Sequence, residues 1–353
     1  MPNVAPSSNF RDPFGLLVRM LRSGNRAAYS ALLHEAMRIA AIPLDVLLSG
    51  MEKRCIDRAT SSRHPLLLIV GPPRSGTTLV YQALAQYLDV SVPTNLSAMF
   101  PRSPLTVSRL FHRKRRATKP EFRNFYGQTA SLHGSNDAFH LWNRWLGDDR
   151  YNPAAELSSS TVADMQKTLA AWTIAFDRPL LNKNNRNAAC IDLLARHLPS
   201  GYFIVVQRQP LFVVQSLIKA RRQVQGDSGT GWGLRSHTTT DASDPLAYVD
   251  DVCEQVITID AEIEQQLRQV ASNRVVRISY EEFCEHPAEM IAHVANSIPG
   301  VKLNDQMPLD NLPVLQTSSR LTLTPDEHAR AVEQLKLAAA ASVSVKPAEF
   351  CAK

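Results

Sequence analysis

Long apolar stretches are missing from this chain, cysteine is sparse, and one loop lacks a lysine where nucleotide-hydrolysing proteins carry one. The all-apolar run at residues 66–70 is far short of the roughly 20 residues a membrane-spanning helix needs, so no such helix is expected. Cys55, Cys190, Cys253, Cys284 and Cys351 are odd in number, widely spread and free of any Cys-x-x-Cys pair. That pattern suggests neither a disulfide framework nor a zinc cluster, and it suits a cytoplasmic protein. Residues 1–10 are polar and contain proline, with no cationic stretch leading into an apolar one, so no secretory signal is expected. The balance of 39 Lys and Arg against 33 Asp and Glu leaves +6 over 353 residues, too dilute to point to nucleic acid. With 44% hydrophobic and 20% charged residues, the chain can bury a large core.

What is present is an alternation of short apolar strands and amphipathic helices. Residues 1–60 read as a helical segment in which Leu32, Leu33, Ala36, Met37 and Ala40 recur on one face before Pro43 interrupts it. Strands are expected at residues 66–70, 202–206 and 274–280, each covered on both faces or leading into a helix. Helical spacing marks residues 162–172, 188–198 and 252–270, and Thr324-Pro325-Asp326-Glu327 is a helix start with a hydroxyl cap and an acidic residue at the third position. The predicted fold is α/β, a three-layer α/β/α arrangement of the phosphate-loop kind around a central, mostly parallel sheet. The main domain spans 61–342, with an acceptor-side insertion at about 91–150 and a tail at 343–353. The insertion is rich in aromatics (Phe100, Phe122, Trp142 and Trp145 among them), carries the basic run Arg113-Lys114-Arg115-Arg116, and is expected to be partly exposed.

The chemistry concentrates after the first strand. Gly71-Pro72-Pro73-Arg74-Ser75-Gly76-Thr77-Thr78 links strand to helix and has the Gly-x-x-x-x-Gly outline of a phosphate-binding loop. Thr77 stands where a loop that hydrolyses ATP or GTP has lysine, and the second strand ends in Gln207-Arg208, with no carboxylate to hold magnesium. Arg74, Ser75, Thr77, Thr78 and backbone amides suit an anion whose transfer needs less charge neutralisation than a γ-phosphoryl group. A sulfuryl group, with one negative charge, meets that condition. Arg208 at a strand end and Ser216 eight residues later, in the next helix, form a second candidate anion site.

These residues resemble the sulfotransferases that use 3′-phosphoadenosine 5′-phosphosulfate (PAPS). Pro73 through Leu79 is similar to that family's 5′-phosphosulfate loop, in the form found in its bacterial branch, and residues 133–145 resemble a segment of the bacterial polysaccharide-modifying members. Residues 203–210 with Ser216 are similar to its 3′-phosphate element, with Gln209 replacing the usual aspartate or asparagine. Residues 277–287 and Asn182-Lys183-Asn184-Asn185 resemble two further segments in the expected order. The resemblance implies that Pro73, Arg74, Ser75, Gly76, Thr77 and Thr78 hold the 5′ end of PAPS, that Arg208 and Ser216 hold its 3′-phosphate, and that Lys183 assists the leaving group. It implies no metal, and an acceptor hydroxyl on a carbohydrate or glycolipid. The rival classes are an atypical kinase or NTPase and a catalytically inactive nucleotide-binding scaffold.

The base that takes the acceptor's proton is open. Residues 90–95 offer no carboxylate, so the candidates are Asp137, His140 and His133. Asp137 equally suits a helix cap, and His140 a satisfied core residue. His140 and Arg144 are spaced to share a helical face, and nearby aromatic rings could receive a sugar. Arg221 and Arg222 could add positive field, and Thr317-Ser318-Ser319-Arg320 could close over the nucleotide.

Overall fold

The computed structural model describes residues 13–22, 26–62, 64–111, 131–149, 153–239, 243–317 and 320–344, together with Phe122 and the pairs 124–125 and 128–129. The basic run at 113–116 and Ser318-Ser319 lie outside the described residues. Three helices come first: α1 (Pro13–Arg22), α2 (Arg26–Ala40) and α3 (Ile42–Asp57). The break between α2 and α3 falls where Pro43 was expected to interrupt, because a proline fits only the first turn of a new helix.

The next elements are β1 (Leu66–Val70), α4 (Thr77–Tyr87), the short α5 (Asn95–Ala98), α6 (Pro104–Leu110), the antiparallel pair β2 (Asn124–Phe125) and β3 (Gln128–Thr129), and α7 (Phe139–Leu146). After them come α8 (Ser159–Phe176), β4 (Leu180–Lys183), α9 (Ile191–His197), β5 (Gly201–Gln207), α10 (Pro210–Ala220) and α11 (Ala247–Leu267). The chain continues through β6 (Val275–Ser279), α12 (Tyr280–Glu285), α13 (Pro287–Ser297) and α14 (Pro325–Ser344). Thr324 and Glu327 form the reciprocal cap of α14 that the sequence predicts.

The central sheet has the order β4-β1-β5-β6, and every pairing in it is parallel. Alternate side chains of β1 and β5 serve opposite faces. Leu66, Leu68, Val70, Phe203 and Val205 pack with α7, α8, α9 and α11, while Leu67, Ile69, Ile204 and Val206 pack with α4 and α13. This is the three-layer architecture expected from unbroken apolar strands. Full burial of each such side chain contributes about 1.5–3 kcal/mol.

Two sequence expectations change. β4 was not among the expected strands, since Leu-Leu-Asn-Lys is half polar and only four residues long. It is nevertheless buried throughout, because Ser91 pairs along its outer edge, donating to the carbonyl of Pro179 and accepting from the amide of Leu181. The second change concerns the aromatic rings near Asp137, which were expected to be open to a sugar. Trp142 and Trp145 are 1% and 4% exposed, stack edge to face at 5.4 Å and belong to the core under β1. Their rings therefore cannot receive a sugar face. Residues 188–198 divide into the end of a 3-10 turn (Asn185–Ala189) and α9.

Candidate active site

Because all four strands are parallel, their C-terminal ends open along one edge of the sheet, and the chain leaves β1 toward β4 but returns to β5 on its other side. Such a reversal leaves a crevice beyond the strand ends. β1 delivers residues 71–76 there, β4 delivers Lys183, β5 delivers Arg208 and β6 delivers Tyr280.

The loop after β1 is shaped by close approach. A Cβ at Gly71 would stand 2.5 Å from the carbonyl oxygen of Val206. Gly76, the residue capping α4, has φ of 93°, and a Cβ there would sit 2.1 Å from the Tyr280 ring. Arg74 also takes a left-handed backbone, at φ 73°, a strained setting for a side chain of that size. The Ser75 hydroxyl is fully buried and has no hydrogen-bond partner. A buried hydroxyl left over in a loop that opens a helix is what an anion-binding turn provides for its ligand. Pro73 and Thr77 are buried, and Thr78 is half-buried in the first turn of α4, which carries no acidic residue.

Two cross-links fix this loop. Arg74 Nε donates to Ser216 Oγ at 2.9 Å, and Arg208 donates through Nη1 to the Arg74 carbonyl at 3.1 Å. Arg208 lies over the Tyr280 ring, 4.6 Å from its centroid, with Phe212 at 5.9 Å on the neighbouring turn. The two anion sites expected separately thus meet through Arg74. On the other side, Thr77 Oγ1 donates to Asn185 Oδ1 at 3.1 Å, which joins the loop to the segment after β4.

Lys183 is buried at the end of β4, in register with Ile69, and its ammonium makes a 2.8 Å ion pair with Asp137. The surrounding hydrogen bonds explain why two residues so far apart in sequence meet. Asn182 accepts from Trp142 Nε1 at 2.7 Å, Asn184 Nδ2 donates to the Asp137 carbonyl at 3.1 Å, and Arg186 donates to Asn143 at 2.7 Å and to the Gly147 carbonyl. Asn182, Lys183, Asn184 and Arg186 each grip a point in residues 137–147. Asp137 does not cap α7: the capping residue is Ala138, which has no side-chain oxygen and a φ of 52°.

The remaining sequence candidates fall elsewhere. The Nε2 of His140 is buried without a hydrogen bond, and burial holds its pKa down to about 4, so it is a neutral imidazole at neutral pH. His133 is exposed on a turn, where its amide donates to Ser131. Arg144 pairs with Asp164, on α8. Arg221, expected to add positive field, is fully buried against Gln255 and the Ser228 carbonyl. Arg222 pairs with Glu327 beside Tyr248. Both serve the packing of α10, α11 and α14. Gln215 bonds the Arg320 carbonyl and the Thr322 amide, which lays the segment after 319 along α10 beside Ser216.

Residues 65–304 match the family described as "Sulfotransferase family". The chain is a member of the sulfotransferase family. Its fold is similar to that of two mycobacterial sulfotransferases known from crystal structures. STF1 from Mycobacterium tuberculosis H37Rv is 11% identical, with a TM-score of 0.56 over 94% of this chain and 92% of the other. STF9 from Mycobacterium avium is 17% identical, with a TM-score of 0.53 over 84% of this chain and 80% of the other. No curated protein matches the sequence. Among the described residues of this sulfotransferase, no helix is long and apolar enough to cross a membrane.

Tyr280 carried no role of its own in the sequence, and Asn185 was expected only as a further donor beside Lys183. Tyr280, at the end of β6, touches both the loop and Arg208, and Asn185 anchors Thr77. Both lie inside segments that carry the family resemblance, but nothing in their spacing shows which neighbours they reach.

Proposed function

We propose that this sulfotransferase moves the sulfuryl group of PAPS to a hydroxyl of a carbohydrate or glycolipid. The observation that carries the reading is the joined cradle: Arg74 bonded to Ser216 and Arg208 bonded to the Arg74 carbonyl, around a loop whose Ser75 hydroxyl is buried and unbonded. In this reading the loop residues 73–78 hold the 5′-phosphosulfate end, and Arg208 and Ser216 hold the 3′-phosphate. Donors already aimed at the oxygens where charge develops lower the barrier, each worth roughly 3–4 kcal/mol by typical deletions.

Lys183 and Asp137 take the chemical step. The acceptor oxygen forms its bond to sulfur as the bond from sulfur to the bridging phosphate oxygen breaks, and the acceptor's proton passes to Asp137. Protonation of Asp137 removes the negative partner of Lys183 at the moment the departing oxygen gains negative charge. The ammonium then neutralises that oxygen, so that base and leaving-group aid act as one pair. His140 is a weaker choice, because an imidazole with a pKa of about 4 holds a proton poorly. The reading places the enzyme in the cytoplasm, supported by cysteines that are scattered along the chain and free among the described residues.

Sulfur-labelled PAPS incubated with the enzyme and a mixed carbohydrate and lipid extract, with mass spectrometry of the product, tests the proposal. A labelled sulfate ester is the expected product. Magnesium-dependent phosphate release from ATP with no response to PAPS would replace the reading with a kinase or NTPase.

A further inference from the structure

The helix α3 is amphipathic in the wrong sense for its position: it buries carboxylates and exposes leucines. Asp45 and Glu52, two turns apart, are 1% and 4% exposed. Asp45 accepts from the Arg102 amide and from Ser103 Oγ at 2.7 Å, while Glu52 accepts from the amides of Leu105 and Thr106 and from Thr106 Oγ1. These bonds satisfy the first turn of α6 and fix α3 to it. With the acidic face turned inward, the outward stripe at i, i+3, i+7, i+10 and i+14 is Leu44, Leu47, Met51, Arg54 and Arg58. Leu47 is 75% exposed, and Leu44 and Met51 are nearly half exposed.

The end of α6 extends this surface. Arg109 Nη1 approaches Cys55 Sγ at 3.2 Å, one turn beyond Met51, and Leu110 and Phe111 beside it are 57% and 52% exposed. Arg109 itself is exposed, and α6 contains no carboxylate. The one exposed acid near the end of α3, Asp57, is paired with Lys53, on the other side of the helix from Met51. A contiguous set of exposed apolar side chains bordered by cations of one sign is the composition of an interfacial surface.

We propose that this face of α3 and the end of α6 dock onto an anionic phospholipid bilayer, with the leucines, Met51 and Phe111 entering the headgroup–acyl boundary and Arg54, Arg58 and Arg109 meeting phosphates. Charge complementarity favours that occupant over a second copy of the chain. In a twofold dimer the patch would meet itself, and the stripe offers its own arginines no carboxylate to pair with. The docking is independent of which acceptor the enzyme sulfates, and none of these residues belongs to the site described above.

Flotation of the full chain with phosphatidylglycerol/phosphatidylcholine vesicles and with phosphatidylcholine vesicles tests the proposal. The wild type is expected to float with the anionic vesicles, less so at high salt, and Leu47→Glu/Met51→Glu to lower its partitioning at least ~10-fold. Arg54→Glu/Arg58→Glu is expected to do the same, and it changes only exposed polar positions, which guards against misfolding of the first variant. Thermal unfolding and adenosine 3′,5′-bisphosphate affinity are expected to stay as in the wild type for both. Failure of the wild type to float overturns the proposal, as does flotation of both variants to the wild-type extent. Sedimentation as a dimer that Leu47→Glu dissociates also overturns it, making the face a contact between copies.

Discussion

Arg74 and Ser216, 142 positions apart, share a 2.9 Å hydrogen bond that joins the loop after β1 to the second turn of α10. The bond means that the two ends of the proposed donor site are mechanically one unit. Ser216→Ala is therefore expected to weaken adenosine 3′,5′-bisphosphate binding by about 10-fold or more, in line with a hydrogen bond to a charged group. On the proposed reading it acts twice, by removing a phosphate ligand and by releasing Arg74. Titration calorimetry reads this directly, and an unchanged Kd would count against the joined cradle.

The pair Lys183–Asp137 should separate chemistry from donor binding. Asp137→Asn keeps shape but not basicity, so turnover is expected to fall about 10²–10⁴-fold. The bisphosphate Kd should stay close to the wild-type value. Lys183→Met leaves a carboxylate mostly buried beside an apolar chain, and loss of one partner of a buried pair typically costs about 3–5 kcal/mol. Asp137 retains 14% side-chain exposure, so the lower end is expected. Urea unfolding of the two single variants and the double variant measures the coupling.

Gly76→Ala combines two penalties. Its φ of 93° disfavours any Cβ, and the new methyl would overlap the Tyr280 ring. Donor affinity and thermal stability are expected to drop together. Adding Tyr280→Ala removes the overlap but not the backbone strain, so stability should recover only in part. Full recovery would show that strain at Gly76 matters little.

His140 sets an acid-side limit on stability. Its folded pKa of about 4 lies below the ordinary 6.5, because burial disfavours the imidazolium. The unfolded chain therefore takes up this proton first as pH falls. The stability is complete above about pH 6.5 and declines as pH drops toward 4, by on the order of 3 kcal/mol for the full shift. His140→Asn should flatten that decline between pH 7 and 4.5, measured by denaturant unfolding at each pH.

The strands β1 and β5 were legible because a strand buried on both faces is apolar almost throughout, β6 because its β-branched residues surround alternately buried positions, and the loop after β1 because its glycines and hydroxyls are contiguous. The caps of α14 and the break at Pro43 were legible for the same reason: each is decided by neighbours along the chain. β4 was not, since its burial comes from Ser91 and from residues 136–147 lying over it.

By itself, then, the sequence determined the layered α/β architecture and the glycine- and hydroxyl-bearing loop after β1, both from local pattern, and the family through its motifs. Only the tertiary structure decided that Arg74 bonds Ser216, that Lys183 is paired with Asp137, that Trp142 and Trp145 are core and not a sugar platform, and that α3 turns its carboxylates inward. Those outcomes depend on long-range contacts, whose partners the strand order and crossovers select, and no spacing along a single segment encodes them.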